Sequence, residues 1–337
     1  MQQVVLRAAL TGAPQADDFL LHDAPLPPCP VDGVLVRVGY LSLDPYVGAV
    51  LRGRHIGHRP IEPMVDPVPG AIVGQVIESR LAGVTVGDWV HSDNGCWQDH
   101  VVLTASQITR LTPGSVPLSA YLGVLGQTGL TAWASVCKVA KVGAGDIVLV
   151  NAAAGPVGGT FGQLARIKGA ARVVGIAGGT QKCALARDHY GFDACIDYHS
   201  EGWRDALRKA LPDGLSVFHE NVSAAMAMEA LALARPYARG VLCGLAAGYQ
   251  AAERPSHALD AGVIIGRRAQ VSGLVVYDFL DCWQAFREEV LPLVASGALH
   301  YAEDRASGLA AAPAHFARLM RGENVGKALV VVAEEEG

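Results

Sequence analysis

Residues 147–165, IVLVNAAAGPVGGTFGQLA, carry the most definite chemistry in this 337-residue sequence. An apolar run ends at Asn151, and Ala153-x-Gly155-x-x-Gly158 then opens a helical pattern. That spacing suits a dinucleotide. Gly155 lets the backbone approach a pyrophosphate, Gly158 lets helix and strand touch, and the helix N-terminus attracts phosphate. Ala153 stands in the place of the usual first glycine. Glycines also make ordinary tight turns, so the pattern gains its meaning from lying between a strand and a helix.

The end of the next apolar run selects the dinucleotide. An NAD site wants Asp or Glu about 20 residues after the glycines, where it accepts from the ribose hydroxyls. Here that run ends VVGIAGG, and no acid occurs from Gly159 through Arg187. Lys182 follows instead. A single lysine is readily a solvated helix residue, but the missing acid together with the base points to NADPH and a 2′-phosphate contact.

Other reactive side chains offer less. The seven cysteines (29, 96, 137, 183, 195, 243 and 282) are odd in number, and the closest pair is twelve residues apart. No C-x-x-C unit exists for zinc or dithiol chemistry, and free thiols suit a reducing compartment. His55 and His58 lie three apart in RHIGHRP without a third ligand nearby, which reads as a polar loop.

These residues need elements to hold them. At roughly 150 residues per domain the length predicts two domains. Hydrophobic residues make up 51% and charged residues 18%, with 39 glycines and 18 prolines, a globular and turn-rich composition. A net charge of -5 and a pI near 6.1 argue against a nucleic-acid or polyanion partner. The N-terminus lacks a signal-peptide pattern. The longest uncharged stretch, Leu111 to Cys137, contains Pro113, Pro117 and four glycines, which disfavours a membrane span. The expected location is the cytoplasm.

The first 110 or so residues read as short strands, at 34–43, 71–79, 88–92 and 100–105, in a small, partly open β-barrel. From about residue 145 apolar runs alternate with helices. Strands are expected at 147–151, 172–177, 194–197, 217–220, 241–245 and 271–276, and helices at 156–169, 180–191, 203–211 and 225–235. In the third helix Trp203, Leu207 and Leu211 share one stripe. Six apolar strands joined by helices predict an α/β, doubly wound parallel sheet. Glu334 to Glu336 read as a solvated tail.

With these segments in order, the chain resembles the zinc-independent medium-chain dehydrogenase/reductase superfamily, in its prostaglandin reductase (leukotriene dehydrogenase) and 2-alkenal reductase branch. The segments that carry the resemblance are LSLDPYV (41–47), VPLSAYLGVLGQTGLTAW (116–133), AAAGPVGG (152–159), VVGIAGGTQKC (173–183), GFDACIDY (191–198), HENV (219–222), CGLAAGY (243–249), GLVVYDF (273–279) and GENVGKALV (322–330). The resemblance implies a discontinuous, co-chaperonin-like barrel domain over 1–120 and 300–337. It also implies an NADPH-binding Rossmann domain over 121–299, the active site in the cleft between them, and a homodimer. The open edge of a six-stranded sheet is a natural pairing surface.

The resemblance further implies pyrophosphate contacts at Ala153, Gly155, Val157 and Gly158, and contacts around the adenosine phosphate at Gly178, Lys182 and Tyr198. Asn221 matches a position beside the cofactor. Cys243 through Tyr249, and Val275, would run past the nicotinamide, and Asn324 would reach the cofactor from the returning segment. Zinc-dependent relatives use a cysteine and a His-bearing GHE segment, whereas PGAIVGQVIE (69–78) has no histidine and LSLDPY no cysteine, so no zinc is expected.

Without a metal, conjugate reduction of an enone or enal is the simplest chemistry, needing only a hydroxyl donor at the carbonyl oxygen. Tyr249 matches the family tyrosine near the nicotinamide ribose, and an ordinary phenol stays protonated at neutral pH. Packing against the cofactor is its competing role. Tyr46 matches a residue on the substrate side, although Asp44-Pro45 is also a turn signal. Gln127-Thr128 replaces the common Met-Pro of the family, and the loop 250–262 is individual in composition, so the preferred substrate differs from apolar lipid enones. A quinone reductase, a pathway-specific enoyl reductase and a non-catalytic NADPH-binding protein are the alternatives.

Overall fold

The computed structural model describes residues 1–251, 253 and 258–333. The acidic stretch Glu334 to Glu336 and part of the loop 250–262 lie outside the described residues. In chain order the strands are β1 (Gln2–Leu6), β2 (Phe19–Asp23), β3 (Gly33–Ser42), β4 (Ile72–Ser79), β5 (Trp89–Ser92), β6 (His100–Thr104), β7 (Thr109–Leu111), β8 (Ile147–Asn151), β9 (Arg172–Ala177), β10 (Ala194–Asp197), β11 (Leu215–Glu220), β12 (Ala234–Leu242), β13 (Gln270–Gly273), β14 (Glu303–Ser307) and β15 (Lys327–Val331). The chain divides into two compact units. The first holds Met1–Gly123 with the described parts of Tyr249–Ala252 and Glu303–Gly337, and the second holds Val124–Gly248 and the described parts of Glu253–Ala302. Tyr249 therefore groups with the first unit, whereas the sequence reading put 121–299 wholly in the second.

In the first unit a sheet runs β14-β15-β3-β4-β5-β7, with β6 also on β3. β3 is the organiser. It carries β4 along one edge, while β6 covers Gly33–Arg37 and β15 covers Tyr40–Ser42 on the other. β15 brings the returning segment back beside the LDPY turn. Between them Lys327 is buried, its Nζ donating to the Leu43 carbonyl at 2.8 Å and pairing with Asp44 at 2.6 Å. Ser42 Oγ donates to the same carboxylate. The core below is aromatic at its centre, where Trp97 stacks on Phe19 at 5.4 Å and Phe316 meets both rings edge-on.

The second unit contains a six-stranded parallel sheet, order β10-β9-β8-β11-β12-β13. This is the strand order of the dinucleotide-binding fold, and it reverses between β8 and β11. Helices α2 (Gln127–Ala134), α3 (Pro156–Ile167), α4 (Thr180–Ala184), α5 (Trp203–Ala210) and α6 (Ala224–Ala232) belong to it; α1 (Val47–Val50) lies in the first unit. Leu207 and Leu211 are buried as the stripe predicts.

Several boundaries differ from the sequence reading, among them the strand expected at 271–276, which ends at Gly273, and three others with a local cause. The helix expected at 225–235 stops at Ala232, because β12 begins at Ala234 and runs through Arg235, Pro236 and Tyr237 across a bulge opposite Leu215/Val217. These residues carry no strand alternation. The strand expected at 241–245 ends at Leu242, since the Cys243 and Gly244 amides turn to the Glu220 carbonyl. The helix expected at 180–191 is α-helical through Ala184 and continues as a π-turn, Leu185–His189.

α3 lies unusually close to β8. A Cβ on Gly158 would overlap the Ala152 carbonyl and lie 2.9 Å from that of Asn151, and backbone cannot yield there. Gly158→Ala is expected to cost about 1–3 kcal/mol of stability despite its better helix propensity. Urea denaturation of the two proteins measures it; unchanged stability would mean that α3 can move outward freely.

Candidate functional site

In the second unit the sequence-predicted residues gather at the carboxyl ends of the parallel strands, where open α/β sheets bind ligands. β8 ends at Asn151, and Ala152 adopts a positive φ of 51° to turn the chain toward α3. Ala153 is fully buried. A Cβ built on Gly175 of β9 would sit 2.6 Å from the Ala153 methyl, so that methyl fills space a second side chain cannot share. Gly155 is the N-cap of α3 and Pro156 its first residue, which removes an amide that would have no partner anyway. On its open side Gly155 meets nothing but the Ala152 carbonyl, at 3.2 Å. The Val157 and Gly158 amides belong to the first turn, whose N–H groups lack helical partners and suit an anion. These features fit a pyrophosphate.

At the end of β9, Gly178 and Gly179 lead into α4, which carries Lys182. The Tyr198 hydroxyl lies against Gly178, 2.9 Å from where a Cβ would stand. Asp197, at the end of β10, brings a carboxylate to this place that the sequence reading did not anticipate. It accepts from the Gly179 amide at 2.8 Å and the His199 amide at 3.0 Å. Those two donors hold it below the usual carboxylate range. It is therefore already engaged with backbone.

Asn221, Cys243 and Val275 follow the ends of β11, β12 and β13. Asn221 Nδ2 is 3.3 Å from His219 Nδ1, and His219 Nε2 is 3.2 Å from Ser135 Oγ, which donates to the Thr131 carbonyl. The chain of bonds needs a neutral His219, and complete burial pushes its pKa down to about 3. Phe161 covers the ring at 4.4 Å. Burial also pushes the Cys243 thiol up to about 12, so it is not a nucleophile.

The first unit holds the remaining predicted residues. Tyr46 precedes α1 and packs against the core, with the His55 ring at 4.8 Å and the His58 ring at 5.9 Å. Burial lowers both imidazoles, His55 to about 4. Tyr249 packs against the same core, its carbonyl beside Gly48 of α1. Asn324 donates to the Gly326 carbonyl at 2.8 Å, a local turn contact.

Sequence reasoning missed the groups that hold these tyrosines. Arg52 donates to the carbonyls of Gly48 at 2.9 Å, Gln250 at 3.3 Å and Gly12, and Arg54 donates to that of Ala251 at 3.0 Å. One guanidinium thus ties the chain after Tyr249 to the helix after Tyr46. The Arg-Gly-Arg spacing was visible, but its carbonyl partners were not.

Residues 2–111 match the family described as the N-terminal domain of oxidoreductase, and residues 156–296 match zinc-binding dehydrogenase. The chain is 34% identical to the NADPH-dependent curcumin reductase of Escherichia coli (strain K12) over 98% of its length and 97% of the relative's. It is 33% identical to the 2-alkenal reductase (NADP(+)-dependent) of Nicotiana tabacum, over 99% and 98%. The crystal structure of CurA in complex with NADPH from Vibrio vulnificus superposes with a TM-score of 0.92 at 31% identity, over 99% of this chain and 100% of that one. Among the described residues no three His, Cys, Asp or Glu side chains gather to hold a metal ion.

His219 makes stability depend on pH. Its folded pKa lies far below its unfolded value near 6.5, so the unfolded chain binds the extra proton between about pH 3 and 6.5. The contribution is complete above pH 6.5 and is lost as pH falls. Urea denaturation from pH 4.5 to 7.5 should show a shallower pH slope for His219→Gln than for wild type, at lower stability throughout; parallel slopes would mean that the ring is not buried neutral.

Proposed function

The chain belongs to the zinc-independent medium-chain dehydrogenase/reductase superfamily, in its prostaglandin reductase and 2-alkenal reductase branch, and on that premise we propose that it is an NADPH-dependent reductase of the carbon–carbon double bond of α,β-unsaturated aldehydes and ketones. The observation that carries the cofactor choice is the end of β9. Lys182 follows the Gly178-Gly179 turn, the Tyr198 hydroxyl lies against it, and the Asp197 carboxylate is taken up by backbone amides. Ala153, Gly155, Val157 and Gly158 hold the pyrophosphate, and Asn221, Cys243, Val275 and Asn324 the rest.

Bound NADPH supplies a hydride to the β-carbon. The protein's task is the carbonyl oxygen, where negative charge collects as an enolate, and a preorganised donor there lowers the barrier. Tyr249 is that donor. Arg52 and Arg54 donate to the Gln250 and Ala251 carbonyls that follow it, and Arg52 also to that of Gly48 in α1, which supports this reading by anchoring the main chain next to the tyrosine. Tyr46, packed by His55 and His58, lines the substrate. Gln127 and Thr128 at the start of α2 favour enones that carry hydrogen-bonding groups.

Homodimerisation would use the edge of β13, which among the described residues pairs with β12 alone. The seven free thiols fit a reducing cytoplasm. No helix among the described residues is long and apolar enough to cross a membrane.

Following NADPH absorbance with a panel of 2-alkenals, enones and quinones tests the reaction, and loss confined to quinones would overturn it. Tyr249→Phe is expected to lower kcat with enones about 100-fold with little change in KM for NADPH. An unchanged kcat would assign the tyrosine to packing. Lys182→Ala is expected to raise KM for NADPH about tenfold while leaving NADH unaffected; equal effects on both would remove the 2′-phosphate contact.

A further inference from the structure

Glu220, the last residue of β11, is fully buried and makes no ion pair among the described residues. Three N–H donors stand in for a cation. Its Oε1 accepts from the Val222 amide at 2.6 Å and the Ser223 amide at 2.9 Å, and its Oε2 accepts from Asn151 Nδ2. Asn151 closes β8, so this contact bridges the two strands between which the sheet order reverses. Burying a carboxylate is costly even when it is hydrogen-bonded, and an apolar pair would close the sheet at less expense.

The carboxylate folds the following turn back on the strand end, and that turn is a template for a second segment. The Glu220 main-chain carbonyl accepts from the Cys243 amide at 2.9 Å and the Gly244 amide at 3.3 Å. The Asn221 and Val222 carbonyls accept from the Ala246 and Ala247 amides, each at 3.1 Å. Ser223 caps α6 through its hydroxyl, accepting from Met226 N. One buried side chain thereby fixes residues 221–223, and through them 243–247.

We propose that Glu220 is a positioning residue that shapes the 221–223 turn and the 243–247 segment to receive the nicotinamide half of NADPH. The proposal rests on the cofactor reading given above. It assigns Glu220 no contact with the reacting atoms. Burial pushes this carboxyl up to about 7, and its protonated form would keep Oε1 as the acceptor for both amides while Oε2 becomes a donor. Asn151 can meet that donor by turning its amide, since Asn151 Oδ1 is buried without a hydrogen-bond partner. A glutamine reproduces the same pattern; a leucine leaves the amides of 222 and 223 without an acceptor.

The test compares two probes on the full chain by quenching of tryptophan fluorescence. NADPH spans the whole site, and 2′,5′-ADP occupies only the adenosine end near Lys182 and Tyr198. Glu220→Leu is expected to weaken NADPH about tenfold or more and to leave 2′,5′-ADP within about twofold, while Glu220→Gln keeps both near wild type. If Glu220→Leu does not fold, Glu220→Asp, which withdraws the acceptor by one methylene, is expected to show the same selective loss at smaller size. Equal weakening of both probes, or no change in either, overturns the positioning role. Wild-type protein that binds neither probe overturns the cofactor reading, and this proposal with it.

Discussion

The approach of α3 to the end of β8 is the constraint on which the second unit depends. Gly158 has no side chain where one would strike the Ala152 carbonyl, so the first turn of the helix begins directly over the strand end. The same lack of a side chain at Gly162 leaves room for the Phe192 ring, which also lies close to Gly175. Helix, second strand and the loop before the third strand are thus packed through glycines. That packing aims the free amides of α3 at the carboxyl end of the sheet, where partial positive charge favours a phosphate.

Polar groups buried at that end are resolved differently from strand to strand. His219 is kept neutral and passes a line of hydrogen bonds from Asn221 to the Thr131 carbonyl. Glu220, its neighbour, is satisfied by amides and Asn151. Adjacent residues on a strand point to opposite faces, so one organises the side toward α2 and the other the turn that follows β11. Asp197 does for the Gly179 turn what Glu220 does for 221–223, with a partly rather than a fully buried carboxylate.

The first unit solves a related problem with cations. Lys327 is buried beside Asp44 and the Leu43 carbonyl, which fixes the turn that carries Tyr46. Arg52 and Arg54 fix the chain after Tyr249 through main-chain carbonyls. In both cases a charged side chain satisfies backbone acceptors that a loop would otherwise leave to water, and a tyrosine is held as the result.

The sequence by itself determined the glycine turn, the acid-free end of β9, the alternation of six apolar runs with helices, and the stripe of α5. Each depends on residues a few positions apart, because turn chemistry and periodicity act over that range. Only the tertiary structure decided that Tyr249 groups with Tyr46, that Lys327 pairs with Asp44, and that Glu220 meets Asn151. Those partners are separated by 203, 283 and 69 residues. A buried charge must find its donors wherever the fold brings them, and no local pattern in the chain encodes which distant carbonyl or amide that will be.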